Sequence, residues 1–163
     1  MKLFLKYNGG YGDAGFDVLD ETACLKYSVS VQTEKNRQKI IIKNLNQQIV
    51  AEIFNKNLVI RYFSVRCSGH LYVLVPIIKE CFAFIIYGST YRFLGDISAG
   101  SFSLIDVDKS PVMTQKKCWS SFGDGFELHI FNAEQELFAV SCAICAAMYL
   151  SAADSKPQMV GEG

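Results

Sequence analysis

The chain has 163 residues, half of them hydrophobic and 13 % aromatic, and its 16 Lys plus Arg balance its 16 Asp plus Glu to a net charge of zero. That composition excludes a disordered chain, and the zero balance argues against bulk nucleic-acid binding, which needs a basic footprint to neutralise phosphates. The length fits one domain able to bury about 70 % of its unfolded surface.

The N-terminal MKLFLKYNGG offers an apolar run too short for a secretory signal and no small-residue cleavage site, so a cytoplasmic location is expected. Six cysteines (Cys24, Cys67, Cys81, Cys118, Cys142 and Cys145) then read as reduced thiols in or near the core, with disulfides the minor alternative.

From residue 2 to residue 131 the hydrophobic period is two, broken by turn residues. Lys2–Tyr7 is a first strand, closed by turns at Asn8-Gly9-Gly10 and Gly12-Asp13, and Phe16–Leu19 follows. Ala23–Val31 alternates, with Leu25, Tyr27, Val29 and Val31 on one face and Lys26, Ser28 and Ser30 on the other. Gln38–Lys43 and Gln48–Phe54 pair through Asn44–Gln47, and Leu58–Arg66 and His70–Pro76 pair through Cys67-Ser68-Gly69. Cys81–Tyr87, Tyr91–Leu94, Phe102–Val107, Val112–Trp119 and Gly125–Phe131 bring the count to about twelve strands.

Leu137–Ala153 breaks the period. It has no charge, Pro or Gly and would make a helix of roughly 25 Å, with apolar residues on every side. Such a helix must be buried all round, in protein or in lipid. A long antiparallel meander has to close or stack to remove its edges, and a barrel of about twelve strands leaves room for one helix. Ala139, Ser141, Cys142, Ala143, Cys145, Ala146 and Ala147 supply the small surface such a helix needs. The expected fold is all-β with one helix: a closed antiparallel barrel of about 12 strands around a central hydrophobic C-terminal helix. It forms a single domain over residues 1–154, with a flexible tail at 155–163. The rival is a transmembrane anchor. It is disfavoured by a length at the lower limit for a span, acidic flanks (Glu134, Glu136, Asp154) without basic anchors, and few Leu and Ile.

Three segments carry a family resemblance. Phe16–Glu21 followed by Tyr27-Ser28-Val29 is similar to an opening hairpin, Gln48–Phe54 after an Ile-rich strand to a second hairpin, and Phe126–Ala153 to a closing strand and core helix. Together they resemble the Tubby C-terminal-like superfamily, which includes phospholipid scramblases and LURP-one-related proteins, and the resemblance spans nearly the whole chain as architecture. It implies a non-enzymatic binding module for membrane phospholipid head groups, phosphoinositides or other anionic lipids, with peripheral membrane association. The corresponding cations here are Lys39, Lys43, Arg61 and Arg66, whose charges suit phosphate oxygens. The bland reading is that they are solvated strand positions. The scramblase calcium stretch would fall on Asn132–Glu136. The dense aspartate pattern is missing there, and Glu134 and Glu136 read as first-turn acids with Asn132 as a cap.

The remaining chemistry-bearing residues have structural readings. Cys142-Ala143-Ile144-Cys145 is a CxxC in mid-helix, where apolar surroundings raise thiol pKa values, and no second ligand pair exists for zinc. His70 and His129 stand on separate strands without a nucleophile motif, and His129 should face outward. Gly123-Asp124-Gly125 is a turn and lacks the other residues of a phosphate loop. Asp13, Asp17, Asp20 and Glu21 cluster near the first hairpin, where acid–base work is conceivable and turn chemistry explains Asp13 and Asp20. Trp119 and Phe122, with Phe126 nearby, mark a candidate apolar surface for a protein partner.

No catalytic residue, metal or cofactor is expected. The leading expectation is the lipid head-group module, followed by a structural or regulatory protein–protein interaction module. An enzyme using the first-hairpin carboxylates comes last.

Overall fold

The computed structural model of the chain describes residues 1–8, 15–35, 37–57, 61–77, 82–96, 99–120 and 123–155. Of residues 57, 82–83, 119–120, 123–124 and 151–155 it describes the backbone. The alternating segments form β1 (Lys2–Tyr7), β2 (Gly15–Leu19), β3 (Leu25–Glu34), β4 (Arg37–Lys43), β5 (Ile49–Asn57) and β6 (Arg61–Cys67). They continue with β7 (His70–Ile77), β8 (Phe82–Tyr87), β9 (Arg92–Asp96), β10 (Ser101–Ile105), β11 (Pro111–Ser120) and β12 (Gly123–Ile130). A 3-10 turn at Ala133–Gln135 leads into the single described α-helix, α1 (Glu136–Ser155).

Each strand pairs antiparallel with its chain neighbour, and β1 pairs with β12 through Leu3↔Leu128 and Leu5↔Phe126, so the sheet is a closed barrel. Closure leaves no edge strand to template aggregation. The expected twelve strands and terminal helix are those found, with ends displaced by a few residues. The tail beyond residue 155 lies outside the described residues.

The barrel encloses the helix. Every residue from Ala139 to Ala147 is 0 % exposed. Their small side chains let the axis sit against the wall, and the wall supplies the bulk. Phe63, Phe84, Phe93 and Phe102 form a chain of ring contacts, 6.0 Å from Phe63 to Phe84, 5.3 Å from Phe84 to Phe93 and 5.7 Å from Phe93 to Phe102. Burying each such ring stabilises the fold by about 1.5–3 kcal/mol. By length and composition α1 could also cross a membrane, and here the protein itself buries most of that stretch.

Gly125 shows how tightly the seam closes. A Cβ there would lie 2.2 Å from the carbonyl oxygen of Leu5 on the paired strand, so no other residue fits.

The helix enters at one rim of the barrel, called upper here, where β12 ends. Three hairpins at that rim share one loop design. Asp20–Cys24, Asn44–Gln48 and Asp106–Ser110 each close with two backbone hydrogen bonds of 2.9–3.0 Å between their first residue and their fourth and fifth. Each carries a left-handed fourth residue, Ala23 (φ 63°), Gln47 (φ 61°) and Lys109 (φ 67°). A register shift follows in all three ladders, as expected of a three-residue loop with a bulge. The first of these shifts explains Leu25. It was expected inward with Tyr27, yet it is 40 % exposed beside the bulge.

Candidate functional site

Strand parity sorts the four candidate cations. On β4 the inward residues are Ile40 and Ile42, so Lys39 and Lys43 stand outward, as does Arg37. On β6 the inward residues are Phe63, Val65 and Cys67, so Arg66 stands outward and Arg61 shares the inner face. Arg61 is therefore not part of an outer patch. Its guanidinium donates to the carbonyl oxygen of Met148 on α1 at 3.4 Å and lies over the rings of Tyr149 and Phe63. Burial lowers its pKa.

The outer wall of β4–β6 gathers cations that sequence reading passed over. Arg37 pairs directly with Lys56 on β5, and Lys39 pairs with Phe54, so Arg37, Lys39 and Lys56 form one group at the lower rim. Two rings sit among them, with Lys39 Nζ 5.8 Å from the Phe54 centroid and Lys56 Nζ 5.7 Å from that of Tyr62. Such contacts hold long flexible cations close to the wall without neutralising them. Arg37 also meets Glu34 at 3.7 Å across the hairpin. Parity with Lys39 across the β4–β5 ladder was the available signal for Arg37 and Lys56.

Lys43 and Arg66 are more remote. Lys43 is four residues, about 13 Å, along β4 from Lys39. Arg66 lies on β6 opposite Glu52 of β5. The four residues singled out in the sequence thus divide into Lys39 in the cluster, Lys43 and Arg66 at its margins, and Arg61 in the interior.

The other candidates occupy structural positions. Trp119 is on β11 opposite Asp124, with its side chain outside the described atoms, and Phe122 lies outside the described residues. Asp20 caps its own turn. Its Oδ1 accepts from the Thr22 hydroxyl at 2.7 Å, the Thr22 amide at 2.8 Å and the Cys24 amide at 3.0 Å. The Thr22 hydroxyl leads in holding that carboxyl below its usual range. Asp17 Oδ1 accepts from the Asn8 side-chain Nδ2 at 3.3 Å, Glu21 is exposed in the turn, and Asp13 lies outside the described residues. Asn132 caps the 3-10 turn by accepting from the Glu134 amide at 3.1 Å, and Glu136 forms an ion pair with Lys26. Among the described residues no three His, Cys, Asp or Glu side chains converge as metal ligands.

The cysteine pair is sealed. Cys142 and Cys145 are 0 % exposed, and burial pushes both thiols well above the ordinary value. His129 faces out and meets Glu127 at 2.8 Å, and Glu127 also bridges to Lys2 at 3.4 Å.

Comparison with known proteins finds no matching family model, no matching curated protein and no matching solved structure.

Proposed function

We propose that this chain is a non-enzymatic, Tubby-like binding module that recognises the anionic head groups of membrane phospholipids through the outer wall of β4–β6. The observation that carries the reading is the group of Arg37, Lys39 and Lys56 at one rim of a protein whose net charge is zero, with Lys43 and Arg66 on the same wall. Closely set cations on a rigid sheet suit phosphate oxygens, and each Lys or Arg near an anionic membrane surface contributes about 1 kcal/mol. The barrel threaded by its C-terminal helix agrees with the architecture that the sequence resembles. On this reading the protein associates with the cytoplasmic membrane surface peripherally, and α1 remains inside the barrel.

The test is co-sedimentation with phosphatidylcholine vesicles, with and without phosphoinositide, at low and high salt. Binding confined to the anionic vesicles and weakened by salt is the expected result, because surface charges are screened within about 10 Å at 0.1 M ionic strength. Absence of binding at low salt would remove the head-group reading and leave a protein-interaction module in front. That second reading draws on the exposed apolar side chains Leu71 and Tyr87 of the outer wall.

A further inference from the structure

The outer wall next to the basic face is apolar. On β7 the outward positions include Leu71, Val73 and Val75, on β8 Ile85 and Tyr87, and on β9 Leu94. They adjoin in the ladder, Val73 opposite Tyr87 and Val75 opposite Ile85. Leu71 is 54 % exposed, Tyr87 58 %, and Ile85 and Leu94 42 % each. Exposed apolar residues are ordinary when scattered, but a contiguous field across three strands marks a contact surface.

The charges around this field indicate what it contacts. The described outward positions of β7 and β8 carry none, and His70 shares the inner parity of Tyr72 and Leu74. Arg66 borders the field on β6, directly opposite Leu71, and Arg92 borders it on β9, one residue beyond the Phe84↔Phe93 pair. Arg66 also stands at the margin of the β4–β6 wall, opposite Glu52, so the apolar field adjoins that wall. Asp96 stands outward on β9 beyond Leu94, so the described border carries two cations and one anion. An apolar centre with arginines at its border and an aromatic hydroxyl side chain at its rim matches the boundary between lipid head groups and acyl chains.

We propose that the outer face of β7–β9 is a membrane-insertion face, seated at the head-group and acyl-chain boundary of an anionic lipid surface while the adjoining β4–β6 wall holds the head groups. This rests on the head-group reading and adds to it a second, apolar contact with its own signature.

The test places a single tryptophan on the face, Ile85→Trp in a Trp119→Phe background, with Val107→Trp on an upper-rim turn in the same background as the control. Each protein is bound to phosphoinositide-containing phosphatidylcholine vesicles, with or without bromine on the acyl chains. The expected result is quenching of the tryptophan at position 85 by brominated chains, with little at position 107. In the native background, Ile85→Ser with Leu94→Ser should weaken vesicle binding by about tenfold or more while the circular dichroism spectrum stays unchanged. Salt-sensitive vesicle binding without quenching at position 85 would overturn the insertion face and leave the head-group reading standing. No vesicle binding by any form would overturn both. Concentration-dependent self-association without lipid, abolished by the same serine pair, would reassign the face to a second copy of the chain.

Discussion

Arg61 reaches through the inner face of β6 and donates a hydrogen bond to the carbonyl oxygen of Met148 on the enclosed helix, at 3.4 Å. The guanidinium also lies 5.0 Å from the ring centroid of Tyr149, a cation–π contact. Wall and helix are joined at the lower rim by this side chain, and its role is therefore structural. Arg61→Ala should lower the free energy of urea unfolding by about 1–3 kcal/mol. Vesicle binding by the folded fraction should stay at the wild-type level, and its loss in a well-folded Arg61→Ala protein would return Arg61 to the site.

The three matched upper-rim loops each hold a non-glycine residue in the left-handed region, which costs about 1–2 kcal/mol. Ala23→Gly removes that strain at the expense of chain entropy, worth about 0.5–1 kcal/mol. A gain of up to about 1 kcal/mol is expected by chemical denaturation, and a loss would show that the Ala23 methyl group matters for packing.

Gly125 faces a backbone carbonyl, which cannot swing aside as a side chain can. Gly125→Ala must therefore open the β1–β12 seam, with an expected cost of about 3 kcal/mol or more. Thermal unfolding reads it directly, and a melting temperature equal to wild type would contradict the closed seam.

Alkaline pH should weaken the fold. Burial raises the Cys67 thiol from its ordinary 9.0 to about 11, and burial together with Glu136 raises the Tyr27 hydroxyl from 10.0 to about 12. Both groups lose their protons in the unfolded chain before they do so in the folded one. The stability they lend is full below pH 9 and declines as pH climbs from 9 to 12, at up to about 1.4 kcal/mol per pH unit for each proton. Cys67→Ala should flatten the part of that decline between pH 9 and 11.

Much of this architecture is legible in the residues because one period governs each element. Alternation marks the strands, and a helix that is apolar on every side requires an apolar container. The same parity also separates Arg61 from Arg66, since residues five apart on an unbulged strand face opposite ways, whereas Lys39 and Lys43, four apart, share a face. The apolar outer field was hidden for the opposite reason. His70–Ile77 and Phe82–Tyr87 are apolar on both faces, a pattern that reads as burial on both sides, and only their place in the closed barrel leaves Leu71, Ile85 and Tyr87 facing out. The Arg37–Lys56 pairing depends on the β4–β5 register, which passes through a bulge next to Lys43 that no local pattern announces.

The most direct test of the lipid reading is a titration of phosphoinositide-containing vesicles into wild type, Lys39→Glu/Lys56→Glu and the upper-rim control Lys109→Glu. Loss of two cations worth about 1 kcal/mol each predicts affinity reduced by about thirtyfold or more in the double variant, with Lys109→Glu near wild type. Equal affinity in all three proteins would contradict a head-group site on the β4–β6 wall.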